Sequence, residues 1–146
     1  MIDDELDKEI LRLLQKNGKL TYEEISNQVG RPPSTVRDRI KKMEENRLIL
    51  GYSTVIDEER IGMKADAYLS ADLPPEHISE AFASLFSMER VSEILKITGE
   101  RRIMFRIKAN DNAELMSIID KDIRPLGFDN IEVKMVLDHL IRYPGL

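Results

Sequence analysis

Residues 21–45 read TYEEISNQVGRPPSTVRDRIKKMEE, and this stretch decides the fold of the N-terminal part of the chain. Thr21 and Glu24 match a T-x-x-E capping box, in which each side chain bonds a free backbone N–H at the start of a helix. Gly30 is suited to end that helix, because glycine accepts the left-handed conformation. Pro33 is suited to the first position of the next helix, where its missing N–H does no harm. The pattern predicts two short helices joined by a glycine-containing turn.

The second of these helices has two chemically different sides. Val36, Ile40 and Met43 recur at i, i+4 and i+7, which predicts that they face a core. The opposite side then presents hydroxyl and basic groups near the helix start, as the recognition helix of a helix-turn-helix does. Arginine can pair with guanine N7 and O6, whereas lysine and a helix N-terminus suit phosphates. We therefore predict that double-stranded DNA is bound by Ser34, Thr35, Arg37, Asp38, Lys41, Lys42 and Arg31.

The charge distribution agrees with a local DNA contact although the net charge is −5. Residues 1–50 contain ten basic and ten acidic residues, so the acidic excess lies in residues 51–146. Residues 31–47 contain six basic and three acidic residues. A positive segment in a negative protein favours local phosphate contact over indiscriminate binding. A solvated helix face that binds nothing is the alternative interpretation of this charge pattern.

A further helix and a strand flank this pair. Asp4 can cap a first helix whose apolar side is Leu6, Ile10 and Leu13, and we expect Asn17 and Gly18 to end it. Residues 48–56, LILGYSTVI, have β-type composition and predict a strand that leaves the three-helix unit. The predicted divisions are a helix-turn-helix domain at 1–50 and a linking strand and turn at 51–64.

The remaining residues, 65–146, predict a second domain with the order βαββαβ. Alternating apolar residues indicate strands at 65–73, 91–98, 103–107 and 131–137. Pro74 and Pro75 begin one intervening helix, and Asp111 or Asn112 can cap the other. This order is that of a ferredoxin-like fold, so the predicted class is α+β.

In such a fold both helices cover one sheet face and leave the other open. By alternation the open face includes Tyr68, Met104, Val136 and Leu140, with Ile94 as a further candidate. Apolar residues on an open sheet favour a homodimer, in which a second copy covers them. The alternation is imperfect, because Ser70, Arg106, Lys134 and Asp138 share this face.

Composition excludes several other classes of protein. No apolar run approaches the roughly 18 residues of a membrane span, so no membrane is expected as a partner. The start of the chain is acidic, unlike a secretory signal, and there is no cysteine for disulfides or thiolate metal sites. We expect a cytoplasmic protein without cofactor, metal or catalytic residues. His77 and His139 are isolated in the sequence and match no catalytic motif.

The whole chain resembles the Lrp/AsnC family, the leucine-responsive and asparagine regulators. The resemblance rests on four stretches in order, at residues 4–11, 35–44, 48–62 and 91–99, which contain DELD, TVRDRIKKME, LILGY and a terminal TG pair. It implies a winged or strand-extended DNA-binding domain and a ligand-sensing α+β domain. It also implies homodimers that often assemble into tetramers or octamers, with small effectors, frequently amino acids, bound near subunit interfaces.

Three residues depart from the family's usual pattern. Pro32 stands where a serine usually caps the recognition helix, so the cap must come from backbone or water. Arg47 stands where a glycine usually ends that helix, and we expect Asn46 to take the left-handed conformation instead. Arg102 stands where an aspartate suits an effector's ammonium group. Our hypothesis is that Gly99, Glu100, Arg101 and Arg102 either bind a small-molecule effector through an anionic group or sense nothing; a solvated hairpin tip is the alternative.

Two other functional classes share features of this sequence. Sirohaem decarboxylases resemble the same family, but their tetrapyrrole-handling strand is rich in Arg, His and aromatics. The corresponding residues 97–105, ITGERRIMF, contain neither His nor Trp. The second alternative is a protein–protein interaction module whose helix-turn-helix does not touch DNA. Dependence of binding on salt separates that class from a DNA binder.

Overall fold

The computed structural model describes residues 4–141, whose contacts divide the chain into two compact units. The first unit extends to Val55 and also takes in Leu140 and Ile141, and the second unit is Ile56–His139. Residues 1–3 of the acidic start lie outside the described part. None of the helices within residues 4–141 combines the length and the apolar character that a bilayer span requires.

Three helices form the first unit: α1 (Glu5–Lys16), α2 (Tyr22–Val29) and α3 (Pro33–Glu45). Their predicted starts are confirmed. Asp4 Oδ1 accepts from the Leu6 N–H at 3.0 Å at the start of α1. At the start of α2 the Glu24 N–H donates to Thr21 Oγ1 at 3.2 Å, and the Thr21 N–H donates to Glu24 Oε2 at 2.7 Å.

The ends of the first two helices differ in mechanism. Gly30 ends α2 in the left-handed conformation, with φ of 64°. α1 ends at Asn17 and Gly18 as predicted, but Asn17 is extended and Gly18 does not take the left-handed conformation that would suit a glycine there. Instead the Asn17 side chain accepts from the Lys19 N–H at 3.0 Å. The space beside Gly18 is taken by the ring of Tyr52, which would lie 3.4 Å from an added Cβ.

The core of the first unit lies between the three helices. Five side chains, one from α1, one from α2 and three from α3, are buried there: Ile10, Ile25, Val36, Ile40 and Met43. Removing an apolar side chain of this size from water stabilises a fold by about 1.5–3 kcal/mol. The core therefore determines which side of α3 faces solvent.

The second unit has the predicted ferredoxin-like topology. Its elements are β1 (Ala65–Asp72), α4 (Ile78–Ser87), β2 (Val91–Lys96), β3 (Ile103–Ala109), α5 (Asn112–Ile118) and β4 (Asp129–Met135). The strands form one antiparallel sheet in the order β2-β3-β1-β4. A short 3₁₀-helix, Pro75–His77, precedes α4. A π-helical segment, Ile119–Ile123, and a short 3₁₀-helix, Arg124–Leu126, follow α5.

One sheet face packs on the two helices and the other is open. The alternate residues of β1 and β3 that begin at Ala65 and Ile103 are buried with Ala81 and Leu85 of α4. Tyr68 and Met104 point to the opposite face, as predicted from the alternation.

The prediction that Ile94 lies on the open face is wrong. Ile94 pairs with Phe105 and packs against the helix-covered core. A register shift between Val91 and Glu93 causes the difference, because one extra residue in a strand moves the following side chains to the other face. Leu95, which pairs with Met104, lies on the open face instead.

Two further strand predictions need correction. Residues 48–56 form no strand, and Leu50 there is 88% exposed. A strand requires a hydrogen-bonded neighbour, and residues 4–141 supply none for this segment. The last strand ends at Met135 rather than at 137, so Leu140 lies beyond the sheet and is 92% exposed.

Candidate nucleic-acid interface

The solvent side of α3 presents most of the residues predicted to contact DNA. Five of them are exposed on α3, Thr35 of α3 is half-buried, and Arg31 is exposed in the preceding turn. The five exposed residues of α3 are Ser34, Arg37, Asp38, Lys41 and Lys42. The structure thus brings the six predicted residues of α3 to the side of that helix opposite the core, with Arg31 in the turn before it.

The turn before α3 is held without a side-chain cap. Pro32 occupies the cap position and makes no side-chain hydrogen bond, and Pro33 follows at the first helical position. Ser26 Oγ of α2 donates to the Arg31 carbonyl at 2.6 Å, which ties the turn to the preceding helix. The backbone N–H groups of Ser34 and Thr35 lie in the first turn, where no helical carbonyl can accept from them. Phosphate oxygens are suitable partners for such groups.

The charged groups of α3 differ in how they are paired. Arg37 Nε and Nη2 both lie 3.3 Å from Asp38 Oδ1. Lys41 Nζ lies 3.9 Å from Glu45 Oε1, one helical turn further along. Within residues 4–141, Lys42 and Arg31 make no ion pair. Exposed pairs of this kind contribute little to the stability of the fold.

Arg39 belongs to the positive segment of the sequence but not to its exposed side. Its Nη1 bonds Asp4, the cap residue of α1, and lies 3.3 Å from Asp7 Oδ1 within α1. The hydrogen bond from Arg39 lowers the pKa of the Asp4 carboxyl below its ordinary value of 3.8. Arg39 therefore ties α1 to α3 and is not available to phosphates.

Arg47, not Asn46, takes the left-handed conformation after α3. Arg47 has φ of 54°, whereas Asn46 has φ of −81°, so the expectation for Asn46 is wrong. The Leu48 N–H donates to the Met43 carbonyl at 2.8 Å, and the Arg47 N–H donates to the Glu44 carbonyl at 3.0 Å. These two bonds form a Schellman motif, whose left-handed position usually holds glycine.

Tyr52 contacts α3, and the sequence did not indicate this. Its hydroxyl donates to Glu44 Oε1 at 2.7 Å, and its ring lines a cleft of about 440 Å³ with Leu14, Gly18 and Tyr22. Burial, and then the hydrogen bond to Glu44, raise the pKa of Tyr52 to about 12. Tyr52 thus fastens the segment after α3 back onto the three helices. A tyrosine directly after the apolar run at 48–50 was the signal that the sequence offered.

The predicted effector residues form the tip between β2 and β3. Gly99 and Arg101 are both left-handed, with φ of 92° and 51°. Arg101 Nε donates to the Asn130 carbonyl at 2.9 Å, and its Nη1 lies 3.5 Å from Glu132. Arg102 is exposed, and its carbonyl accepts from the Ile97 N–H at 2.8 Å. Of the two arginines, only Arg102 has a side chain without an ionic partner in residues 4–141.

The open face of the sheet contains half-buried ion pairs. Arg106 bonds Asp66 and lies over the ring of Tyr68, with its Cζ 5.2 Å from the centroid. Burial raises the pKa of Asp66, but the hydrogen bond and charge of Arg106 outweigh that effect and bring it below 3.8. Arg106 is not a free cation on this face.

Glu58, Asp66 and His139 each place a ligand-type atom within 4.8 Å of the others. Lys108 already pairs with Glu58, and Arg106 pairs with Asp66. The two carboxylates are thus neutralised by neighbouring cations, which oppose a metal ion at the same place. This group pairs charges beside one end of the central strands β1 and β3 rather than offering a cation site.

Known proteins match the N-terminal helices alone in one comparison and most of the chain in others. Residues 3–49 match the family model described as winged helix-turn-helix DNA-binding. The transcriptional regulator LrpA of Pyrococcus horikoshii is 33% identical over 138 residues, which cover 94% of this chain and 98% of that protein. The transcriptional regulator FL11 of Pyrococcus abyssi is 30% identical over 117 residues, covering 80% of this chain and 78% of the relative.

Solved structures share the fold over nearly the full length. AsnC of E. coli superposes with a TM-score of 0.85 at 24% identity and covers 97% of both chains. A transcriptional regulator of Neisseria meningitidis, solved as a complex with L-Met, has a TM-score of 0.88 at 23% identity. That superposition covers 99% of this chain and 96% of the other.

Proposed function

Because the chain belongs to the Lrp/AsnC family of DNA-binding helix-turn-helix transcription regulators, we propose that it contacts duplex DNA through the solvent side of α3. The observation that supports this is the two-sided character of α3. Its core side is Val36, Ile40 and Met43, and its solvent side groups hydroxyl and basic side chains. We assign DNA contact to residues 1–50, the link between the two domains to residues 51–64, and the second domain to residues 65–146.

The solvent side offers a distinct contact for each type of group. Arg37 has the donor pair that suits guanine in the major groove. Lys41, Lys42 and Arg31 suit phosphates, and Ser34 and Thr35 can donate to a base edge or to a phosphate. Phosphate contacts position the protein, whereas base contacts specify sequence. Substitution of Arg37 and of Lys42 should therefore have different consequences.

Competition binding with duplexes selected from a random pool tests this assignment. Arg37→Ala should cost about 1–3 kcal/mol on the selected duplex and relax the base preference, whereas Lys42→Ala should weaken all duplexes alike. Arg124→Ala, which removes an exposed charge from the second unit, is the control and should change neither property. Unchanged affinity in both α3 variants would refute the assignment and favour an interaction module.

We further propose that the chain acts as a homodimer joined through the open sheet face. Tyr68, Met104 and Leu95 supply apolar surface there, and Arg106 beside Tyr68 is paired with Asp66 within the chain. Two recognition helices related by a two-fold axis would meet half-sites about 34–36 Å apart. Assembly into tetramers or octamers belongs to the same proposal. A regulator of this kind works in the compartment that contains the DNA, which for a bacterial or archaeal cell is the cytoplasm.

For the effector we propose residues 99–102, with Arg102 as the group that meets the ligand. Arg101 is held by Asn130 and Glu132, so Arg102 is the cation left to attract an anionic group. The Neisseria relative was solved with L-Met, so neutral amino acids belong in the comparison. Dicarboxylates or phosphorylated metabolites should raise the melting temperature of the wild type but not of Arg102→Ala. A large shift with a neutral amino acid that persists in Arg102→Ala would contradict the proposal.

The proposal includes no catalytic step, since the curated relatives are named as transcriptional regulators. Titration with a tetrapyrrole tests the decarboxylase alternative directly. A saturable absorbance band would revive that alternative, and a spectrum equal to the sum of the components would leave regulation as the function.

A further inference from the structure

Arg37 and Asp38 are adjacent in sequence and bonded to each other on the solvent side of α3. A single carboxylate oxygen, Asp38 Oδ1, accepts from both Nε and Nη2 of Arg37 at 3.3 Å. The side chains are 58% and 69% exposed, so neither is held by burial. In residues 4–141 the Asp38 carboxylate has no other side-chain partner.

The atoms used by this contact leave a specific part of Arg37 free. A guanidinium can make two parallel hydrogen bonds from its side, with Nε and one Nη, or from its end, with the two Nη atoms. Asp38 takes the side of Arg37. The end remains available for guanine O6 and N7, which accept as a pair in the major groove.

The Asp38 carboxylate also affects whether Arg37 contacts a phosphate or a base. A lone arginine on a recognition helix can turn to a phosphate, which gives affinity without sequence preference. If Arg37 left Asp38 for a phosphate, an unpaired carboxylate would face the negatively charged duplex, and that arrangement is repulsive. Asp38 therefore favours the one arrangement in which Arg37 reaches a base.

We propose that Asp38 is a specificity-determining positioning residue: it holds the side of Arg37 so that the end of the guanidinium reads guanine, and it penalises non-specific contact. This inference rests on the proposed DNA contact of α3. In this arrangement the negatively charged Asp38 helps the protein to recognise DNA, which is also negatively charged. Affinity and discrimination are accordingly expected to respond in opposite directions when the carboxylate is neutralised.

Asp38→Asn tests the inference with three duplexes: the one selected by the wild type, the same duplex with its preferred guanine replaced, and one of unrelated sequence. Binding to the unrelated duplex should tighten, because a negative charge near the phosphates is removed. The ratio of affinities for the selected and guanine-replaced duplexes should fall at least about 5-fold, since a bidentate guanine contact is worth about 1–3 kcal/mol.

Glu45→Gln is the matched control, because it neutralises another exposed carboxylate of α3 that does not touch Arg37. It should also tighten unrelated binding but leave the ratio within twofold of the wild type. If Asp38→Asn and Glu45→Gln give the same ratio of affinities for the selected and guanine-replaced duplexes, the inference is overturned. It is also overturned if the selection returns no preferred guanine. If Arg37→Ala and Lys42→Ala bind normally, the proposed function fails instead, so the two failures are distinguishable.

Discussion

Arg47 occupies a backbone position where an L-residue is strained. Its φ of 54° lies in the left-handed region, which disfavours residues with a Cβ by about 1–2 kcal/mol. Both hydrogen bonds that end α3 depend on this conformation, because they come from the Arg47 and Leu48 N–H groups. Ending α3 at this point therefore costs local backbone strain at Arg47.

Arg47→Gly should raise the free energy of unfolding by about 0.5–1 kcal/mol, because glycine adopts positive φ freely but loses more entropy on folding. Urea denaturation followed by circular dichroism measures the change. Asn46→Gly is the control and should lower stability, since Asn46 has a negative φ. A less stable Arg47→Gly variant would show that the arginine side chain contributes more than the strain removes.

Tyr52 should titrate above the ordinary pH range of a tyrosine. Its pKa of about 12 in the folded state exceeds the ordinary 10.0, so its contribution to stability is complete below about pH 10 and is lost as pH rises toward 12. In an alkaline titration followed by phenolate absorbance, Tyr52→Phe should remove a late-titrating group. Loss of signal near pH 10 instead would mean that Tyr52 is solvated and not bonded to Glu44.

At the scale of elements, the attachment of α1 to α3 depends on acidic groups. Arg39 contacts Asp4 and Asp7, and Asp4 also caps α1 through the Leu6 N–H. The pKa of Asp4 is lower in the folded state than its ordinary 3.8. This contribution to stability is therefore present above pH 3.8 and is lost as pH falls through the lower folded value.

Arg39→Gln should raise the pKa of Asp4 toward its ordinary value, which carboxyl NMR signals can follow during an acid titration. The stability of the variant should also fall less steeply below about pH 4, because the pKa of Asp4 then differs less between the folded and unfolded states. Arg12→Gln, whose charge acts on Glu5 rather than on Asp4, is the control. An unchanged Asp4 pKa in Arg39→Gln would contradict the attachment.

The same elements show which parts of the fold the sequence could predict. Caps are local, so Asp4, the Thr21–Glu24 pair and Gly30 marked helix ends correctly. Pairing between distant strands is not local. The register shift that turns Ile94 inward leaves no sign in the residues themselves, and β-type composition at 48–56 does not show whether a neighbouring strand exists.

The candidate site was predictable to a similar extent. Periodicity correctly separated Val36 and Ile40 from the exposed residues of α3. A count of charges placed Arg39 in the same positive segment as Lys42, although Arg39 is paired with Asp4 and Asp7 and Lys42 makes no ion pair within residues 4–141. The pairing of Arg39 with α1 is a tertiary contact, and no pattern within α3 reveals it.

At the scale of the whole molecule, the proposed homodimer depends on the open sheet face. Arg106 and Asp66 are half-buried there, and Tyr68 lies under the guanidinium. A second copy that covers this face would bury a pair that is already neutral, so no unpaired charge would be trapped. Apolar neighbours such as Met104 and Leu95 then supply the favourable contact.

Tyr68→Lys should weaken the homodimer at least about 10-fold, because it places a second cation beside Arg106 in the covered face. Sedimentation equilibrium over a concentration series measures the dissociation constant. Ser79→Lys adds the same charge on the exposed side of α4 and should leave assembly unchanged. A Tyr68→Lys protein that remains as dimeric as the wild type would place the interface elsewhere.

The affinity of the wild-type protein for its selected duplex, measured over a series of salt concentrations, tests the DNA contact of α3 most directly. The logarithm of the binding constant should fall linearly with the logarithm of salt, by about 0.9 for each phosphate neutralised. Lys42→Ala should make that slope shallower by about 1. Binding that ignores salt, or a slope identical in Lys42→Ala, would contradict the account.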